Sequence, residues 1–350
     1  MQTEFGRFTF TPKRTSSAAQ VNTSALLPSW VARRETHFEQ VRSRGVRFKD
    51  SGFSSRSDFK EHVFKRGLGF ILPGYAGPGI APDAPQWDRE QLLTLMTVDY
   101  LERRRDDTHV HVPAPYAGHT AAHLLGLPTT SPHPPELVRQ VPPGFWHNKT
   151  RNVKTYRAPT TPETVTICGI EVSSPPQTVI DLARLASTED ALACANFALH
   201  EGLATREEIT SIYERMPRFI GANRVRDVLA LMDSRVESVG ESLTRLRIHQ
   251  FGLPQVEPQV SFMSDKHVDR VDFLDRKNKI AYEFDGNIKL LDPRMLDDLD
   301  YRKSIANEGN RDRRLRQHGI HPFHLVWNDV KTERGFEDWL RQARINGFPL

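Results

Sequence analysis

Three acids near the C-terminus fall on what reads as one hairpin: Asp272, Glu283 and Asp285. Strands alternate faces, so apolar residues can be matched to apolar to test a register. With Lys277 and Asn278 at the tip, Val271 faces Phe284, Phe273 faces Tyr282, and Asp272 faces Glu283. The apolar residues then share one face and the three acids the other. Directly opposed residues lie about 5 Å apart. Two carboxylates at that spacing repel by roughly 3 kcal/mol at an effective dielectric of about 20. A raised pKa, a basic neighbour or a divalent cation must offset that repulsion.

Carboxylates on adjacent strands can bind Mg²⁺ or Mn²⁺ through oxygen. Such an ion can polarise a phosphoryl oxygen. Glu241 could join from the preceding helix, Gln259 from the preceding strand and Arg311 from a later helix, while Lys289 lies four residues past Asp285. The bland alternative is a solvated hairpin face with Asp285 paired to Arg270, its opposite in that register. Glu241 and Arg245, four apart, could equally be a surface pair on a helix.

The elements that would position these groups follow from pattern. Val239, Leu243 and Leu246 form an apolar stripe at helical spacing, ended by Gly252 and Pro254. The hairpin follows, then a helical stretch carrying Tyr301, Arg302, Ile305, Glu308 and Arg311, then an alternating strand at 321–327. This order implies an α/β plan with a mixed sheet. Upstream, a helix is predicted over 29–44, closed by Gly45. A second, capped within 54–58, runs through Phe59 and Val63, and a short strand and turn follow at 68–75. Helices followed by a small β-wing outline a winged helix. Further helices are predicted at 89–104, at 119–128 and from 178 past 224, strands at 153–157 and 165–172, and irregular chain at 128–143. His119 and His123 stand one helical turn apart, a ligand spacing, but no glutamate completes an H-E-x-x-H motif.

The chain has 350 residues, enough for two or three domains, with 38% hydrophobic and 26% charged residues and a net charge of +4. Its apolar runs fall short of a membrane span, and no apolar stretch of signal-peptide type opens it, so a cytoplasmic location without membrane partners is expected. Cys168 and Cys194 make no metal or redox motif and read as reduced core thiols. Residues 1–66 carry 13 Lys and Arg against 6 Asp and Glu, a balance suited to phosphate contact. Arg56, Lys60, Lys65 and Arg66 lie on or beside the second predicted helix. They are candidate nucleic-acid contacts, as are Arg245 and Arg311.

Two resemblances add to this reading. One rests on Glu241-Ser242-x-x-Arg245-Leu246, Gly252-Leu253-Pro254, Gln259, Val271-Asp272-Phe273, Glu283-Phe284-Asp285-Gly286, Glu308-x-x-Arg311, Leu315-Arg316 and Gly319. This ordered set, over residues 237–330, resembles a bacterial domain-of-unknown-function group related to very-short-patch-repair endonucleases, in the PD-(D/E)XK superfamily. It implies a restriction-endonuclease-like core, Mg²⁺ (or Mn²⁺) dependence and DNA as substrate. Asp272 and Glu283 would be the central metal ligands and Glu241 the helix acid. The superfamily's E-x-K would put lysine where this chain has Asp285; Lys289 could replace it from a shifted position.

The other resemblance is carried by Lys65-Arg66-Gly67-Leu68 leading to Pro73-Gly74-Tyr75, by residues 119–128 and by residues 174–183. They are similar to AbiEi-type antitoxin proteins, which implies DNA binding, with autoregulation or phage defence.

The expected fold class is α+β multidomain: a flexible tail (1–27), an N-terminal winged helix (28–88), a middle AbiEi-like α/β domain (89–236), and a C-terminal restriction-endonuclease-like α/β core with a mixed sheet (237–350). The expected function is a metal-dependent DNA endonuclease in phage defence or repair, with Asp272, Glu283, Asp285, Lys289 and Glu241 at the site and double-stranded DNA as partner. The alternative is an AbiEi-like DNA-binding regulator or antitoxin, with a toxin or defence-system partner and a non-cleaving nuclease-like domain. An RNA-directed nuclease ranks third.

Overall fold

The structure is a computed structural model. It describes residues 26–81, 83–108, 114–132, 136–143, 152–264, 267–286 and 299–346, except the side chains of 105–108, 264 and 299–306. The expected tail, apart from 26–27, and Lys289 lie outside the described residues. Helices and small sheets alternate throughout, a mixed α+β architecture that divides into two units, residues 22–232 and 233–350. Among the described residues no helix is long and apolar enough to cross a membrane.

The first unit opens with α1 (Leu26–Arg44), whose buried Trp30, Arg34, Phe38 and Val41 recur at helical spacing. It stops at Gly45, where a Cβ would strike the Tyr75 hydroxyl, which donates to Asp99 at 2.6 Å. After β1 (Val46–Arg47) and a 3₁₀ turn comes α2 (Arg56–Lys65). Ser55 caps α2 by accepting from the Asp58 amide at 3.1 Å. Strands β2 (Leu68–Leu72) and β3 (Tyr75–Pro78) turn about Pro73-Gly74 and complete an antiparallel sheet of order β1-β3-β2. Phe59 and Val63 of α2 bury against Ala76 of that sheet, with Phe48, Phe53 and Leu68 around them.

Next come α3 (Gln86–Thr108) and the wholly buried α4 (Gly118–Leu125), closed by Gly126 in the left-handed region, φ 71°. β4 (Leu137–Val141) runs parallel to β5 (Val153–Arg157), so the stretch expected to be irregular contains a strand. Its Val-Arg-Gln-Val alternation is hidden among prolines. The single strand expected at 165–172 is instead a hairpin, β6 (Thr164–Ile167) and β7 (Ile170–Ser173). Cys168 and Gly169 turn it with φ of 49° and 79°, a positive pair suited to a tight hairpin. The long helical region is four helices: α5 (Pro175–Leu185), α6 (Thr188–His200), α7 (Arg206–Glu214) and α8 (Ala222–Leu231). Ser174, Ser187 and Thr205 each cap one of them. Cys194 is buried as expected, whereas Cys168 is only half-buried.

The second unit begins with α9 (Val239–Gln250), capped by Ser238. A strand not counted in the expected order, β8 (Glu257–Ser264), precedes β9 (His267–Asp275) and β10 (Ile280–Phe284). Then come α10 (Leu299–Gln317), β11 (His321–Leu325), α11 (Trp327–Val330) and α12 (Glu333–Ile345). The sheet order is β11-β10-β9-β8, with β10 and β11 parallel and the rest antiparallel, so the sheet is mixed. The observed hairpin register pairs Tyr282 with Phe273 and Ile280 with Asp275, as the apolar matching required, but the pairing ends at Tyr282 and Phe273. The expected place of Val271 beside Phe273 is not kept: Val271 buries with Leu274 and Ala281.

Both faces of this sheet are covered. Phe273, Ile280 and Tyr282 bury with Leu243 and Ile248 of α9 and Phe336 of α12, and Phe284 packs against that cluster. Val271, Leu274 and Ala281 bury with Leu315 of α10. Arg247, 1% exposed, ties α9 to α11 by donating to the Val330 carbonyl at 3.0 Å. Gly240 lets the start of α9 approach β10, because a Cβ there would fall within the Phe284 ring.

Candidate functional site

The hairpin acids sit in a row across the sheet. Gln259 lies between the pairs Pro258–Phe273 and Val260–Val271 and so stands across from Asp272. Glu283 pairs with His324 of β11, and the Asp272 charge bears on both Glu241 and Glu283. Glu241 reaches the row from the first turn of α9. Its Oε2 accepts from Gln259 Nε2 at 2.9 Å and from the Glu237 amide at 3.1 Å. Gln259 holds a left-handed backbone, φ 58°, at that point in β8. Asp272 Oδ2 accepts from the Phe284 amide at 2.8 Å. Glu283 Oε1 accepts from Arg311 Nη2 at 2.7 Å, and the same guanidinium nitrogen also meets the Arg270 carbonyl.

Glu241 and Glu283 are 7% and 4% exposed, so these carboxylates are largely out of water. Burial, and then the Asp272 charge, pushes both up to about 7. Burial also raises Asp272, against the Phe284 amide and the Arg311 and Arg270 charges. Arg311 thus covers only part of the negative charge.

Such a donor set, the buried carboxylates of Glu241 and Glu283, the half-buried Asp272 and an amide carbonyl, suits a hard divalent cation. The residues fit Mg²⁺ or Mn²⁺ on that ground. Asp272, Glu283 and Glu241 are the groups that would hold it. The ion would neutralise them and polarise a phosphoryl oxygen.

Several expected partnerships differ. Asp285 does not pair with Arg270: its Oδ2 meets His324 Nδ1 at 2.9 Å, while Arg270 bonds Glu237 at 2.8 Å. The reason is the parallel β11, which brings an imidazole to the end of β10. Glu241 and Arg245 are not a surface pair, because both are buried and Arg245 faces Asp233 at 3.3 Å. Arg245 is thereby withdrawn from any nucleic-acid surface, and Arg311 is engaged with Glu283. Arg56, Lys60, Lys65 and Arg66 are exposed in the first unit, with Lys65 paired to Glu61 at 2.6 Å. His119 and His123 hold no common ligand position: the first meets Asp190 at 3.1 Å and the second Thr94 at 2.9 Å.

The sequence reading missed His324 and Asp312 as site neighbours. His324 Nδ1 also lies 3.4 Å from Glu308, and its Nε2 lies 3.3 Å from Asp312. The hydrogen bond that His324 donates to Asp285, then the charges of Asp285, Asp312 and Glu308, raise His324 to about 9 against its burial. The available signal was the i, i+4 spacing of Glu308 and Asp312 beside a His-bearing strand.

Comparison with known proteins bears on the first unit. Residues 116–231 match the family model of the AbiEi antitoxin C-terminal domain. The match includes residues 119–128 and 174–183 of the AbiEi-like pattern, lies in the middle of the chain, and leaves out 65–75. It covers none of residues 233–350. Among solved structures, the RV2827C protein from Mycobacterium tuberculosis is similar at 15% identity and a TM-score of 0.31, over 58% of this chain and 76% of that one. No curated protein matches the chain.

Proposed function

We propose that this chain is a DNA-binding regulator of the AbiEi antitoxin kind, acting on double-stranded DNA and working beside a toxin or defence-system partner. The observation that carries the reading is the free face of α2. Arg56, Lys60 and Phe64 stand on it at four-residue spacing, and Phe64 is 86% exposed. Arg66 continues the basic run, and the β2–β3 turn lies beside it with Phe70 at 49% exposure. A helix bearing cations and an apolar contact, buttressed by a three-stranded sheet, has the parts of a winged-helix reader of the major groove. The AbiEi match further along the chain, at residues 116–231, supports the same reading. The test is a gel shift on the DNA upstream of the chain's own gene. Wild type should bind with strong salt dependence, and R56A/K60A should lower affinity about tenfold and the salt slope by about 2. Equal affinity in the variant would remove α2 from the interface.

A second reading, metal-dependent DNA cleavage, is favoured by the buried acids Glu241 and Glu283 beside the half-buried Asp272. In it, Gln259 orients Glu241 and Arg311 orients Glu283. Asp285 occupies the place of the superfamily lysine and is turned to His324. The assay is nicking of plasmid DNA in Mg²⁺ or Mn²⁺. Cleavage by wild type and its loss in D272N, with DNA binding retained, is the expected pattern for a cutting enzyme. Intact plasmid in both metals leaves the regulator reading alone.

A further inference from the structure

Beside the carboxylate row lies a second cluster of different composition. Asp285 stands at the end of β10, Glu308 on α10 and His324 on β11. One ligand atom from each, two carboxylate oxygens and an imidazole nitrogen, lie within 4.8 Å of one another. None of the three belongs to the Glu241, Asp272 and Glu283 set.

The geometry is fixed from several sides. The Asp285 amide donates to the Leu325 carbonyl at 2.8 Å, which locks the end of β10 to β11. His324 Nδ1 points at both carboxylates, 2.9 Å from Asp285 and 3.4 Å from Glu308. Its Nε2 points at Asp312, 3.3 Å away. A carboxylate on the far nitrogen is the arrangement that orients a metal-ligating imidazole and strengthens it as a donor. Asp312 in turn meets Arg316 at 3.3 Å, and Arg311 is committed to Glu283 at 2.7 Å. Asp285 and Glu308 therefore face one imidazole with no guanidinium of α10 bonded to them among the described contacts.

The side chains are 26%, 33% and 28% exposed for Asp285, Glu308 and His324, open enough for water to complete a coordination shell. Imidazole with carboxylate selects ions of the Mn²⁺, Co²⁺ and Zn²⁺ type over Mg²⁺ and Ca²⁺, which prefer oxygen alone. We propose that Asp285, Glu308 and His324 form a binding site for a divalent transition-metal ion. Binding displaces the imidazole proton and replaces one positive charge by two. The site is independent of DNA binding through α2 and adjoins the carboxylate row, where the Asp285 charge acts on Asp272.

Counting bound Mn²⁺ by the loss of its free-ion EPR signal, on the full chain, tests this. Wild type, E308Q, H324Q and D272N are compared, each with Mg²⁺ in large excess. Wild type and D272N should retain one Mn²⁺ that Mg²⁺ does not displace, and E308Q and H324Q should each lose it. Glu308 is on the surface of α10, so E308Q serves if H324Q loses its circular-dichroism signal. Absence of this ion from wild type overturns the site, as does its persistence in both E308Q and H324Q. Its loss in D272N alone would move the ion to the carboxylate row, which also overturns the proposal. Gel-shift affinity of E308Q, expected to equal wild type, keeps the outcome separate from the DNA-binding reading.

Discussion

Buried acids in the two units have different surroundings, although burial raises Asp181 of the first to about 6 as it raises Glu241 and Glu283 of the second to about 7. In the first unit Asp181 is fully buried and accepts from Gln140 at 2.6 Å, Ser173 at 2.8 Å and Gln177 at 2.9 Å. Asp190 accepts from Ser187 at 2.8 Å, from Thr130 and Ser131, and meets His119. Burial would raise Asp190, but His119 and these donors hold it well below the usual carboxylate range. In the second unit the Asp272 charge acts on both Glu241 and Glu283. Acids surrounded by donors brace a fold, whereas acids crowded against acids are pushed toward the protonated form. Both braced acids fall inside the AbiEi-matched segment and both tie separate elements together.

The largest effect expected from this contrast is on stability. Asp181→Ala strands several buried donors and should cost about 3 kcal/mol, measured by chemical denaturation. Asp272→Asn, in the absence of divalent ions, should be neutral or stabilising by about 1 kcal/mol. A comparable loss in both variants would erase the distinction.

Acidity gives the next effect. The folded values of Glu241 and Glu283, about 7, lie above the ordinary 4.5. The folded state therefore holds more protons than the unfolded one between those values, and stability falls as pH rises through that window. Moving from pH 8 to pH 5.5 should stabilise residues 233–350 by on the order of 2 kcal/mol, read as slower segment-resolved hydrogen exchange. Asp190 has the opposite sign: its contribution is present above the unfolded carboxylate range and is lost only as pH falls through its depressed folded value. Asp181, raised by burial to about 6, has the same sign as the two glutamates, so exchange in the first unit should also slow over this interval, by less than in the second. A smaller shift is expected from Mn²⁺, which should flatten the pH dependence of the second unit by occupying the acids, and leave the first unit unchanged.

How much of this was legible in sequence depends on the range of each contact. The β9–β10 register was readable because a hairpin is local and Phe273, Tyr282, Asp272 and Glu283 leave one sensible alignment. Helix α2 was readable from Ser55 and Asp58 at its start. The β6–β7 turn was not, since Cys168 takes a positive φ that its residue type does not advertise. His324 beside Glu283 was invisible for another reason. Parallel strands are joined through α10, and no local pattern sets the alignment of strands so far apart. Arg245 shows the limit of charge arithmetic: its spacing from Glu241 suggested a surface pair, and its burial beside Asp233 came from how α9 meets the rest of the unit.

Phe284 joins two parts of the second unit in one residue. Its amide donates to Asp272, while its ring fills the space that Gly240 leaves at the start of α9 and meets the Trp327 ring edge-on at 5.0 Å. The proton on that nitrogen is therefore a built-in sensor. Its NMR frequency should follow the ionisation of Asp272, and an ion bound at the acids should shift it through the same bond. Because the ring bears on α9, movement of Glu241 should register at the same nucleus, and one resonance can then report on both sides of the cluster.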